Sequence, residues 1–218
     1  MARLLNVEDL LHGEMFALEQ AGNLLHDAVS LFKSDRFASA VALAVICREE
    51  LGRAHIYAEM RKQVRGSPGV SSKELLKRCT DHIDKLRRGQ VEVSIHLPPQ
   101  DRGLIDALAD PEHPDHEKAR KELDERFERE RRRQPKTTHG RRMRGLYVEP
   151  RRDDLGWNRP CLFDRDEAVQ VLEAIANDYD GYLHSLQFAD IERRNALHLW
   201  PDCPKLPDPV WPPARLDA

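Results

Sequence analysis

Three charged residues interrupt an apolar helix in FASAVALAVICREELGRAH, residues 37–55. Phe37 to Cys47 carry no charge, and Arg48, Glu49 and Glu50 then arrive together. On a helical wheel Glu49 continues the apolar side of Ala38, Ala42, Val45 and Ile56, and Glu50 points about 100° away. A lone carboxylate on a buried side costs several kcal/mol, so Glu49 needs a partner or a raised pKa. Arg53 lies at i+4 from Glu49, the favourable order for a plain structural pair. His82 and Lys85, in CTDHIDKLRRG, offer a second answer if the next helix packs alongside. A Glu–Glu–His cluster suits metal binding or general acid–base work. The Glu-x-x-His spacing of di-iron bundles does not occur, which weighs against that metal chemistry. A third group is RRMRGLYVEP, where Arg141, Arg142 and Arg144 precede Tyr147. Guanidinium groups beside an aromatic suit phosphate contact and base stacking, the signature of nucleic-acid binding. The plainer alternative is that Leu146 and Tyr147 anchor a loop.

These residues need helices to position them. Leu11, Met15, Leu18, Gly22, Leu25, Val29 and Phe32 draw one apolar stripe over a helix of about 7–33. A short polar break follows, with Ser34 or Asp35 able to cap the next helix. So short a break makes the first two helices antiparallel neighbours. The second helix, about 36–64, is apolar nearly all round in its first three turns and is expected to be central. Ser71-Ser-Lys-Glu74 reads as a capping box opening a third helix to about Arg88, stopped by Gly89. VEVSIHLPPQ, 91–100, reads as extended, and a small helix follows at Leu104–Ala109. A charged helix is expected over about 115–133, with residues 134–163 irregular. Asp164-Arg-Asp-Glu167 opens a last helix with the stripe Ala168, Leu172, Ile175, Tyr179, Tyr182 and Leu186, reaching about Leu197. Six prolines between Pro201 and Pro213 make the tail extended. The expected fold is all-α: an antiparallel bundle of four main helices plus a charged helix. Residues 1–198 form one domain, with a basic insertion at about 115–152 and a Pro-rich tail at 199–218.

Composition narrows the function classes. Charged residues make up 33% of the 218 and hydrophobic ones 40%, which describes a water-soluble helical protein. The net charge of −3 hides an asymmetry. Lys118–Arg152 holds fourteen Lys/Arg against six Asp/Glu, a net of +8, which leaves −11 on the rest. Such a block touches nucleic acid or an acidic partner, or is a solvated mixed-charge helix. The four cysteines form no CxxC pair, and the N-terminus turns acidic before a signal-peptide core develops. Reduced thiols in the cytoplasm are expected, without cofactor or membrane span.

The ordered marks resemble the AbiV family of bacterial abortive-infection proteins. They are the opening helix ALEQAGNLLHDAVSLF, then FASAVALAVICREELGRA with Glu49-Glu50-Leu51-Gly52-Arg53 where the family has Glu-Glu-Leu-Gly-Lys. His82-x-x-Lys85, Gly145 to Glu149, and Trp157 then Pro160 follow, ahead of a final helix. The layout is similar to the HEPN helical domains, many of which are ribonucleases of toxin and phage-defence systems. The resemblance implies an effector acting on RNA or translation, a homodimer, and a metal-independent endoribonuclease as the candidate activity. Many HEPN enzymes carry Arg, four to six residues, then His. Four such pairs occur: Arg48–His55, Arg132–His139, Arg133–His139 and Arg193–His198. That is no more than 26 Arg and 10 His give by chance. Arg193 and His198 have the best context, at the end of a helix. Glu49, Glu50, His82, Lys85, Arg193 and His198 are thus the candidate catalytic residues, and Arg141, Arg142, Arg144 and Tyr147 the candidate nucleic-acid contacts. The competing reading is a non-enzymatic module that binds a phage or host protein, with the Glu/His/Lys cluster as structural glue.

Overall fold

A computed structural model describes residues 4–65, 69–90, 102–147, 149–150, 157–158, 163–188 and 205–208. The expectations for 91–100, for Arg193 and His198, and for most of the Pro-rich tail lie outside the described residues.

Helix α1 spans Val7–Lys33. Asn6 opens it with a reciprocal capping box: its side chain accepts from the Asp9 N–H, and Asp9 accepts from the Asn6 N–H. All seven residues of the expected stripe are buried. Helix α2, Phe37–Gln63, returns antiparallel. Neither Ser34 nor Asp35 caps it. Ser34 closes α1, and Arg36 takes the N-cap position without a side-chain hydrogen bond. The reason is local: Asp35 adopts a φ of 56°, the left-handed conformation that reverses the chain, and Asp tolerates it.

α2 is the central helix, as its all-round apolar start predicts. It packs chiefly against α1 and three further helices: α4, His82–Arg88; α6, His116–Leu146; and α7, Arg165–Phe188. The third helix expected over 71–88 is two. α3, Ser72–Thr80, begins at Ser71, whose hydroxyl accepts from the Lys73 N–H. The chain then breaks at Asp81, which is extended with ψ 105°. Its carboxylate accepts from the N–H groups of Ile83 and Asp84 and starts α4 afresh. α4 lies on α2 with backbone against backbone. A Cβ on Gly52 would sit 1.8 Å from the Lys85 carbonyl oxygen, and one on Gly89 would sit 2.0 Å from that of Arg48.

The charged helix is longer than the sequence suggests. After a short α5, Arg102–Ala109, α6 runs through Pro135 and through the arginine cluster, so all of 134–146 is helical rather than irregular. An interior proline removes a hydrogen bond and crowds the preceding turn, costing about 3 kcal/mol. Packing offsets this. Pro135, Thr138 and Gly145 are buried, and Gly145 lets α6 approach the Ala38 carbonyl of α2. The first half of α6 is instead a surface ladder of i, i+3 and i, i+4 ion pairs, such as Arg126–Glu122 and Arg133–Glu130.

Two small antiparallel pairings complete the described fold. β1, Leu4–Leu5, joins β2, Val70–Ser71, in the register Leu4↔Ser71. β3, Glu149–Pro150, joins β4, Trp157–Asn158. Asp164 then accepts from the Glu167 N–H and opens α7, whose stripe residues Ala168, Leu172, Ile175, Tyr179 and Tyr182 are buried. No helix among the described residues is long and apolar enough to cross a membrane.

Candidate functional site

Glu49 is only 3% exposed, as the wheel requires. Three donors from two other helices meet its carboxylate. His82 Nδ1 lies 2.6 Å and Lys85 Nζ 3.4 Å from Oε2, and Arg142 Nη1 lies 2.8 Å from Oε1. The sequence arranges this by helical spacing. His82 and Lys85 are i, i+3 on the first turn of α4, held by the Asp81 cap and by the Gly52/Gly89 contact. Arg142 sits on the packed half of α6. Lys85 is also buried, so charge balance at this point is a condition of folding.

The Glu49 contact assigns the tautomer of His82. A carboxylate only accepts, so Nδ1 carries the proton and donates it to Oε2. Arg142 Nη1 lies 3.4 Å from the same Nδ1, but both are then donors and the approach is not a hydrogen bond. Nε2 of His82 is left for other work, on a side chain that is 47% exposed. Beside it stands His139 of α6, with ring centroids 5.9 Å apart and planes 30° apart. Burial, and then the Arg142 guanidinium, hold the His139 pKa below its usual value against the opposing pull of Glu49. His139 Nδ1 has no hydrogen-bond partner among the described residues. An imidazole oriented by a carboxylate, a second imidazole and a guanidinium can move protons at a shallow, solvent-facing site.

The other candidates fall elsewhere. Glu50 does not share the cluster's hydrogen bonds. It pairs with Arg53 at 2.8 Å, so the Glu49–Arg53 pair that spacing favours is not formed. Burial raises the Glu50 pKa, against the lowering pull of Arg53 and Lys85. Arg141 and Arg144 part from Arg142 and both face Glu167 of α7, at 3.4 and 2.6 Å. Arg144 also stacks 4.8 Å over the Phe163 ring. Tyr147 is half exposed at the end of α6. Arg193 and His198 lie outside the described residues. Of the other arginine–histidine spacings, Arg48 turns to Asp178 at 2.5 Å, and His55 lies edge-on to the Tyr182 ring. Among the described residues no group of three or more His, Cys, Asp or Glu side chains is placed to hold a metal ion.

Sequence reasoning met His139 only in the chance-level spacings from Arg132 and Arg133, and passed over its place beside His82, three residues before Arg142 on one helix face. It also passed over two buried polar groups. One is Arg48–Asp178. The other is Glu14, fully buried, which accepts from Tyr182 Oη at 3.0 Å and lies 3.7 Å from Arg61. The signal for Glu14 was present: three residues after Leu11 and four before Leu18, it stands on the apolar stripe.

A family model, HEPN_AbiV, described as AbiV, matches residues 9–179. The match runs from the first turn of α1 into α7 and includes every residue that meets at Glu49. No curated protein and no solved structure matches the chain.

Proposed function

The chain belongs to the AbiV family, whose role is abortive infection in phage defence, and on that premise we propose that it acts as a metal-independent endoribonuclease with its site at His82. The observation that carries this reading is the 2.6 Å bond from His82 to Glu49, on a half-exposed ring beside His139. In the proposed reaction His139, neutral at pH 7 because its pKa is lowered, takes the proton of a ribose 2′-OH. The 2′-oxygen attacks the adjacent phosphorus, and the bond from phosphorus to the 5′-oxygen breaks. His82 serves as the imidazolium in this step: it gives its Nε2 proton to the leaving oxygen while Nδ1–H stays on Glu49, and Arg142 supplies positive charge beside the phosphate. Glu49 and Lys85 act as positioning residues. Arg141, Arg144 and Tyr147 offer contacts for the strand at the end of α6. Arg193 and His198 remain candidates on the family resemblance, as does a homodimeric state, and a cytoplasmic location is proposed from the cysteine pattern.

A second reading has its own support. Glu49 and Lys85 are buried and satisfy each other, as structural glue does, and this suits a module that binds a phage or host protein. Incubation of purified protein with total RNA separates the two, with His82→Gln, His139→Gln and His198→Ala as controls. Cleavage that falls at least about a hundredfold in His82→Gln supports the site at His82. Unchanged RNA in every case, with phage protection intact in all three variants, would sink the nuclease reading.

A further inference from the structure

A second cleft, of about 250 Å³, opens on a different face of α6. α6 presents Arg133, Thr137, Thr138 and Arg141 to it, α2 presents Arg48, and α7 presents Asp178. The lining is rich in donors: three guanidinium groups and two hydroxyls face one carboxylate. That carboxylate is already taken by Arg48 at 2.5 Å. Arg48 is only 7% exposed, and its Nε has no hydrogen-bond partner among the described residues. Arg133 and Arg141 contact Glu130 and Glu167 at 3.0 and 3.4 Å. Such surface pairs are worth about 0–1 kcal/mol and yield readily to a better acceptor. The side chains that line the cleft sum to +2, with Glu130 and Glu167 just outside it as the exchangeable partners of Arg133 and Arg141. Its volume falls below the roughly 300–1,000 Å³ of pockets that enclose whole ligands, so it suits a small anion or the end group of a larger molecule.

We infer that this cleft binds a phosphate group, held by the guanidinium forks of Arg133 and Arg141 and by the Thr138 hydroxyl over the fixed charge of Arg48. The cleft shares no side chain with the Glu49 cluster, so the inference stands whether or not the protein cleaves RNA. The phosphate has two sources of the same chemistry: a free small-molecule phosphate or an RNA strand.

The test is calorimetric titration of the full-length protein with inorganic phosphate, with chloride holding ionic strength constant. Saturable binding at one site is expected. Arg133→Gln/Arg141→Gln, at the rim, and Thr138→Val, nearly isosteric at a buried position, are each expected to weaken it by about tenfold or more. His82→Gln is expected to leave it unchanged, so the nuclease reading and this one fail separately. Short 2′-O-methyl oligoribonucleotides, which resist 2′-oxygen attack, then compete in 5′-phosphorylated and 5′-hydroxyl forms. Competition by the phosphorylated form alone identifies a strand end, competition by both a strand backbone, and competition by neither a small-molecule phosphate. Each of these outcomes keeps a phosphate site. Heat that follows ionic strength alone, or phosphate affinity unchanged in the double variant, would overturn it.

Discussion

Arg48 and Glu49 are neighbours on α2, yet they serve different faces of it, about 100° apart. Arg48 turns toward α7 and meets one carboxylate, Asp178, which is 2% exposed. Glu49 turns toward α4 and α6 and meets three donors, one of them a half-exposed histidine. The first is an ion pair that packing nearly buries at the floor of a cleft. The second gathers more positive charge than one carboxylate cancels and opens to solvent at His82. The same two chemical types thus serve as an internal tie on one face and as a candidate proton-transfer site on the other. What separates them is the exposure of the groups that meet there, not the residue types.

The largest expected effect comes from removing one charge on each face. Glu49→Gln leaves Lys85 buried without its counter-ion, and Asp178→Asn does the same to Arg48. Each is expected to cost about 3–5 kcal/mol in urea unfolding. The two should diverge in function: at temperatures where both are folded, Glu49→Gln loses phage protection and Asp178→Asn keeps it. Equal loss in both would erase the distinction between the faces.

Gly52→Ala sharpens the comparison next. Its Cβ would collide with the Lys85 carbonyl, which is backbone and cannot swing away. A cost of about 3 kcal/mol is expected, with α4 pushed off α2. Heteronuclear NMR should show the His82 ring resonances move while those of α7 stay in place.

On the α7 side, burial pushes the His55 pKa down to about 4, so the folded protein keeps this imidazole neutral. The unfolded chain binds its proton from about pH 6.5 downward, whereas the folded one does so only near pH 4. Stability therefore falls as pH drops through that window and levels off below it. His55→Gln should remove roughly 3 kcal/mol of this acid loss, read as the difference between two series of urea midpoints over pH 4–7.

The smallest effect is Asp81→Ala, which deletes the cap of α4. About 1 kcal/mol is expected in thermal or urea unfolding. Because His82 is the next residue, the effect on activity should exceed what that stability loss explains.

The parts of the fold that could be read from sequence are those with a one-sided pattern. The stripes of α1 and α7 and the all-round apolar start of α2 fix those helices, and the wheel places Glu49 inside. The convergence of His82 and Lys85 on Glu49 was legible only as a consequence of the third helix packing beside the second. Two features hid the rest. Asp81 splits one expected helix in two, because a capping side chain competes with the helix that runs through it. The charged helix was expected to end near residue 133, yet burial of Pro135, Thr138 and Gly145 against the bundle carries α6 onward. With α6 cut short, His139 and Arg142 could not be seen as neighbours three residues apart, and Arg142 was grouped with Arg141 and Arg144. Only the three-dimensional packing separates it from them and sends it to Glu49.

The contacts at Glu49 also bear on the order in which the chain becomes competent. His82 lies 33 residues along the chain from Glu49, and Arg142 lies 93. The α1–α2 hairpin forms from local contacts and closes early, whereas loops of this length close later. On a ribosome Glu49 therefore emerges well before the cation that completes its shell. The polar cluster cannot be assembled by an unfinished chain, and any activity that depends on it is withheld until α6 has docked.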